Sequence, residues 1–193
     1  NTPLPGGETP LMTAARTGRI GPVKALLARG AEVNATLPQG QTALMWAAAD
    51  GHAAVVETLL AAGADFQTPL STGLTPMLFA VRAGHADVVR LFLNAGMDVN
   101  AASQPAKTGK KLPAKGTSAL SLAIENGRFA LAALLLDLGA DPNDSRAGYT
   151  PLHMLARIRK PDRGEDDGDP VPADPGGMNS EELIRKLVAK GAA

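Results

Sequence analysis

The sequence predicts an all-α protein: a solenoid of stacked helix-turn-helix units joined by extended finger loops. Three observations favour this fold. Nearly the same residue arrangement recurs at a fixed period, glycines occupy three fixed columns, and each unit carries an apolar stripe at helical spacing. Because 45% of the 193 residues are hydrophobic, the chain can build a core and is not mostly disordered.

A hydroxyl residue opens each unit and sets its origin. The five origins follow one another at steps of 33, 33, 43 and 32 residues. A glycine lies two positions before every origin, and in the first four units further glycines lie nine and 21 positions after it. The origins are Thr9, Thr42, Thr75, Ser118 and Thr150.

The first helix of each unit begins at this hydroxyl residue. Its side chain can accept hydrogen bonds from the free amides of the first turn. Pro10, Pro76 and Pro151 then occupy the first helical position, where a missing amide hydrogen is tolerated. Nine positions after the origin, a glycine can end the helix in a left-handed conformation.

The second helix carries one apolar stripe. The stripe residues are Val23, Leu26 and Leu27; Val56, Leu59 and Leu60; Val89, Phe92 and Leu93; and Ala132, Leu135 and Leu136. The closing glycine is followed by turn-forming Asp and Asn in "GMDVN" and "GADPN", which lead into the finger.

These units resemble the ankyrin repeat, whose T-P-L-H-x-A signature is nearly literal in "TPLHMLA", residues 150–156. The resemblance implies one domain over 1–193 and a monomer with a concave helix face. The Ala-rich, Cys-free repeats also look similar to bacterial ankyrin-repeat proteins. The predicted repeats are 7–35, 40–68, 73–101, 116–144 and 148–193, with insertions at 102–115 and 159–178.

Two positions depart from the pattern. Thr13 stands four after the first origin, where other units carry large apolar residues, and predicts that the first repeat is a cap. The fifth repeat lacks the glycine nine positions after Thr150, and an insertion separates its two helices. Its second helix is therefore placed by the apolar pattern around Leu187.

Charge and composition restrict the partners. The 19 basic and 19 acidic residues cancel, so no net field favours nucleic acid or an acidic membrane. No apolar run approaches the roughly 18 residues that span a bilayer. The chain has no cysteine, which is compatible with any redox compartment and leaves the localisation undecided.

The sequence predicts no enzyme, no cofactor and no metal ligand set. His52, His85 and His153 fall in repeated columns, which indicates hydrogen bonds between turns and repeats. No G-x-S-x-G, H-E-x-x-H or complete Walker motif is present. Recurring aspartates such as Asp65 lie in the closing turns and are interpreted as turn residues.

The predicted function is protein binding. In ankyrin-like proteins, partners usually lie across the fingers and the exposed first-helix positions. We interpret Trp46 in the first helix as packing between repeats. Exposed Tyr, Leu and Arg are the favoured anchors, although ordinary solvated side chains are the alternative. The candidates are Gln41, Asp50, Leu74, Arg82, Glu125, Asn126, Tyr149 and Arg157.

Two charged insertions offer further hypotheses. Lys110 and Lys111 belong to a basic stretch without acids, which is either a partner contact or a solvated loop. Residues 162–174 hold six acids, so calcium binding or a catalytic role centred there is an alternative, although the spacing does not fit an EF-hand. A third alternative is an architectural spacer within a longer chain.

Overall fold

The computed structural model describes residues 3–106, 114–158 and 177–193. Within these ranges the chain forms helices and no β-strand, only an isolated β-bridge, which confirms the all-α prediction. The helices are α1 Pro10–Arg16, α2 Ile20–Ala28, α3 Ala43–Ala49, α4 Ala53–Ala61, α5 Pro76–Ala83, α6 Ala86–Asn94, α7 Ala119–Glu125, α8 Phe129–Asp137, α9 Pro151–Ile158 and α10 Ser180–Ala189.

The first helices begin as predicted. In the first four helix pairs the hydroxyl oxygen accepts a hydrogen bond from the amide three residues later, and that amide belongs to Met12, Met45, Leu78 or Ser121. Gly84 ends α5 with a left-handed φ of 93°. These starts and stops are local, since they depend on residues within one turn of the helix end.

The described residues form two compact units. Unit 1 comprises 3–98 with 103–106, and its first helices α1, α3 and α5 pack side by side while α2, α4 and α6 form the layer behind them. Met12, Leu44, Leu78 and Phe92 are fully buried between the layers. Unit 1 thus buries one continuous core over three helix pairs.

Unit 2 comprises 99–102, 114–158 and 177–193. Here α7 packs on α8 and α9, and α10 packs on α8 and α9. Ile124, Leu135, Leu155 and Leu183 are fully buried. The second helix of the fifth pair therefore contributes to a shared core, while the single domain over 1–193 stays a prediction.

Asparagines in the fingers tie successive helix pairs together. Asn34 donates to the carbonyl oxygen of Gly63 over 3.2 Å and accepts from the amide of Asp65 over 2.8 Å. Asn100 and Asn143 repeat this pair of bonds in unit 2; their partners are Gly139, Asp141, Gly191 and Ala193. Because Asn143 reaches the turn after α10, the fifth pair keeps the register despite its insertion.

Histidines make a second set of ties in unit 1. His52 Nε2 lies 2.9 Å from the carbonyl oxygen of Arg16, and His85 Nε2 lies 3.1 Å from that of Ala49. A carbonyl oxygen only accepts, so Nε2 must carry the hydrogen in both rings. The predicted role of these two histidines in linking repeats is confirmed.

Candidate functional site

Five of the predicted partner-binding residues line two cavities. We call the first the Trp46 cleft, a cavity of ≈ 260 Å³ in unit 1 lined by Arg16, Gln41, Met45, Trp46, Ala49, Asp50 and Phe79. We call the second the Tyr149 cleft, a cavity of ≈ 420 Å³ in unit 2 lined by Ala114, Glu125, Ala147, Tyr149, Met154 and Arg157. Each cleft lies on the first-helix side of its unit.

An arginine from the preceding helix pair covers the tryptophan in the Trp46 cleft. The guanidinium of Arg16 lies 4.6 Å from the centroid of the Trp46 ring. The same guanidinium forms a salt bridge with Glu8, in which Nη2 lies 3.6 Å from the carboxylate Oε1. Trp46 is half-buried, so it packs against the neighbouring repeat as predicted but is not a core residue. The ring forms a wall of the cleft together with Ala49 and Phe79.

Polar groups of the Trp46 cleft include an amide and a carboxylate. Gln41 lies one residue before the cap of α3, and its side-chain oxygen is buried without a hydrogen-bond partner among the described residues. Asp50 is exposed at the C-cap of α3. The cleft therefore combines an aromatic wall with hydrogen-bond acceptors and one arginine.

The Tyr149 cleft is built by the finger before α9 and by the ends of two helices. Tyr149 is 49% exposed, and the guanidinium of Arg157 in the last turn of α9 lies 4.8 Å from its ring centroid. Glu125 ends α7 and lines the same cavity. Burial raises the pKa of Glu125, and the attraction of Arg157 opposes this shift without cancelling it.

Three predicted residues do not line either cleft. Leu74 is only 4% exposed, so the prediction of an exposed anchor is wrong for it. The following finger covers this region: the amide of Ala106 donates to Ser71, and a Cβ on Gly73 would lie 2.6 Å from the backbone nitrogen of Pro105. Asn126 is half-buried and donates to the carbonyl of Leu122 over 2.8 Å, which supports the end of α7.

Arg82 is the third of these residues, and it shows a pattern that the sequence interpretation missed. Its guanidinium lies 5.1 Å from the ring centroid of Phe79. Arg16, Arg82 and Arg157 all stand seven residues after their origins, and each covers an aromatic ring. The spacing was visible in the sequence, but the ring that each arginine covers depends on side-chain placement.

The remaining predictions concern metal binding, membranes and the charged insertions. Within the described ranges, no group of three or more His, Asp or Glu side chains could hold a metal ion. None of the described helices is long and apolar enough to cross a membrane. Lys110, Lys111 and the acidic residues 162–174 lie outside the described residues.

Comparison with known protein families gives a match. A family model described as ankyrin repeats (three copies) matches residues 1–70 and 63–146, which together span more than half of the chain. A search of curated proteins found no significant relative. The match covers the helix pairs of unit 1 and the first helix pair of unit 2, α7 with α8.

Proposed function

This chain belongs to the ankyrin-repeat family, and from that premise we propose that it is a non-enzymatic protein-binding module whose partner contacts the Trp46 and Tyr149 clefts. Ankyrin repeats generally mediate protein-protein interaction. The observation that carries the proposal is that residues far apart in the sequence lie together in two clefts. Five residues predicted from repeat position alone, Gln41, Asp50, Glu125, Tyr149 and Arg157, meet in two clefts.

The arginines of the clefts are suited to binding because they are ordered beforehand. Arg16 and Arg157 each rest on an aromatic ring, and half of the Arg16 side chain stays exposed. A partner that contacts such a side chain loses less conformational freedom than one that must order a mobile arginine. Aromatic and arginine side chains also supply much of the energy of typical interfaces.

The bonds of the histidines support the non-enzymatic part of the proposal. His52 and His85 donate to backbone carbonyls of the preceding repeat. His153 Nδ1 lies 2.7 Å from the hydroxyl of Thr150, inside the T-P-L-H segment. The Thr150 hydroxyl also accepts from the backbone amide of His153 over 3.5 Å, so it serves as the cap of α9. The Nε2 hydrogens of His52 and His85 are committed to backbone carbonyls, which leaves those nitrogens unavailable as general bases.

Affinity capture from extract of the parent organism tests this proposal. The wild-type chain is compared with a cleft variant, Arg16→Ala with Arg157→Ala, and with a control variant, Arg90→Ala with Arg185→Ala, which removes the same charges from exposed positions on α6 and α10. We expect a partner that the wild type and the control retain and the cleft variant loses. Equal retention by all three folded chains would refute the placement in the clefts.

A broader variant addresses the two insertions. We propose that Lys110 and Lys111 and the acidic residues 162–174 add secondary partner contacts, and that calcium binding or a spacer role are the alternatives. Removal of 107–113 and 162–174 should weaken capture of the same partner without abolishing it. A melting temperature that rises with added calcium in the wild type alone would favour calcium binding instead.

A further inference from the structure

We propose that the Tyr149 cleft is a pocket for one basic side chain, lysine or arginine, of the protein partner, and that the Glu125 carboxylate is its counter-charge. This inference rests on the proposed function, since it specifies what the partner places in the cleft. Three features of the cleft carry it: a carboxylate without a direct partner, an arginine that is already engaged, and an apolar wall.

The carboxylate of Glu125 lacks a direct counter-charge. Among the described residues it makes no hydrogen bond and no salt bridge, and Arg157 acts on it only from a longer distance. Its surroundings desolvate the charge, which raises the pKa of Glu125 despite Arg157. A charge that is withdrawn from water without a partner is stabilised when a donor arrives.

The guanidinium of Arg157 is already engaged. It rests 4.8 Å from the Tyr149 centroid, where the negative face of the ring attracts a cation. Arg157 is therefore stabilised on the Tyr149 ring and does not need to pair with Glu125. Neighbouring groups desolvate the Glu125 carboxylate in part, but the residue as a whole is exposed and lines the open cavity, so a donor can reach the carboxylate.

Apolar groups complete the cleft. Met154 is buried at 7% exposure, and Ala114 and Ala147 line the same space. Long basic side chains place their methylene stems along apolar surface while the charged end reaches a polar group. The volume of ≈ 420 Å³ falls within the range of about 300–1,000 Å³ seen for ligand pockets.

Other occupants fit less well. An acidic side chain would approach the like charge of Glu125 in a desolvated place, which is unfavourable. An aliphatic side chain would fill the apolar wall but would desolvate Glu125 further without supplying a donor. A basic side chain supplies the donor that Glu125 lacks and covers the apolar wall with its stem. Arg157 repels it, but the Arg157 guanidinium rests on the Tyr149 ring and, within the described part of the chain, makes no salt bridge that competes for the Glu125 carboxylate.

The composition of the chain allows a direct test. It holds one tyrosine and one tryptophan, so labelling with 3-fluorotyrosine and 5-fluorotryptophan gives one ¹⁹F resonance at each cleft. The probes are the N-acetyl methylamides of arginine and lysine, with those of norleucine and glutamate for comparison. We expect the arginine and lysine probes to shift the Tyr149 resonance saturably and to leave the Trp46 resonance in place.

Two matched variants connect the shift to the carboxylate. Glu125→Gln should weaken binding of the basic probes about tenfold or more, because it removes a charged hydrogen-bond acceptor. Glu57→Gln removes the same charge from an exposed site on α4 and should bind as the wild type does. The Trp46 resonance and the melting temperature verify that both variants fold.

Several outcomes would overturn the inference. These are the absence of a saturable shift, equal affinity for the norleucine or glutamate probe, and unchanged binding in Glu125→Gln. They are distinct from failure of the proposed function. If basic probes do not bind while capture of the partner still requires Arg157, only the inference fails; if they bind while capture ignores both clefts, the proposed function fails.

Discussion

Units 1 and 2 stack the same kind of helix pair but tie neighbouring pairs with different chemistry. In unit 1, the Nε2 atoms of His52 and His85 donate hydrogen bonds to backbone carbonyl oxygens of the preceding helix pair. The corresponding residue in the fourth pair is Arg128, and unit 2 instead uses a carboxylate tie in its finger. Asp144 accepts two bonds from the guanidinium of Arg146, over 2.8 and 3.0 Å.

The carboxylate tie also joins two segments of unit 2. Arg146 donates to the carbonyl oxygen of Asn100 over 2.7 Å, so the guanidinium links the finger after α8 to residues 99–102. Asp144 is buried at 5% exposure. The comparison teaches that the bond to a backbone carbonyl can come from an imidazole ring or from a guanidinium, and that only the guanidinium is held in place by an ionised acid.

The largest predicted loss of stability comes from a substitution that disturbs the His85 tie in unit 1. In Gly51→Ala the new Cβ would lie 2.5 Å from Nδ1 of His85, and the φ of +75° also disfavours a side chain. We expect a loss of about 2–4 kcal/mol in the free energy of unfolding, measured by urea denaturation.

Gly63→Ala is the matched control for this substitution. Gly63 has a similar φ of +83°, but no atom lies within 4 Å of the added Cβ. Gly63→Ala should lower the free energy of unfolding by only about 1 kcal/mol, because the added side chain disfavours the positive φ but meets no other atom. Equal losses at the two glycines would show that the approach of His85 contributes nothing.

The next effect breaks the tie in unit 2. Asp144→Asn removes the charge that receives both bonds from the guanidinium of Arg146, so we expect unfolding to become easier by about 1–3 kcal/mol at pH 7. Asp141 is an exposed aspartate in the preceding turn, and Asp141→Asn serves as the comparison. This substitution should lower the free energy of unfolding by a smaller amount. Thermal denaturation followed by circular dichroism measures both.

The pH dependence sharpens the same prediction. Burial acts to raise the pKa of Asp144, but hydrogen bonds, first from Arg146, outweigh it and lower the pKa below its ordinary value. The stabilisation is therefore complete above the unfolded-state pKa of about 3.9 and is lost as the pH falls through the lower folded-state pKa. Asp144→Asn should lose less stability than the wild type below pH 4; parallel curves would contradict this.

The smallest effect concerns the asparagine ties that both units share. Gln67 occupies the position of Asn34 in the next repeat, and its side chain makes no hydrogen bond to the described residues. Gln67→Asn should supply the missing pair of bonds and stabilise the chain by about 0.5–1.5 kcal/mol. Asn34→Gln is the reverse exchange and should destabilise it; the same sign for both would refute the equivalence.

Local features of this fold could be predicted from the sequence. The caps at Thr9 and Ser118 and the left-handed Gly84 depend on residues within one helical turn. Gln41, Glu125 and Tyr149 occupy predicted partner-binding positions and line cavities, but the cavities themselves were not predicted and partner binding there stays a prediction.

Contacts between repeats could not be predicted in the same way. Leu74 occupies the same repeat position as Tyr149, yet a neighbouring finger covers it and Tyr149 stays exposed. Trp46 is likewise covered by Arg16, a residue of another repeat. Repeat position fixes the backbone site but not which side chains from other segments lie over it.

Isothermal titration calorimetry with the captured partner, once purified, tests the central claim most directly. The titrated chains are the wild type, Arg16→Ala with Arg157→Ala, and Arg90→Ala with Arg185→Ala. We predict that the cleft variant binds at least about tenfold more weakly, a loss of about 1.4 kcal/mol, while the control variant matches the wild type. Equal affinity of the cleft variant and the wild type would contradict the assignment of partner binding to the two clefts.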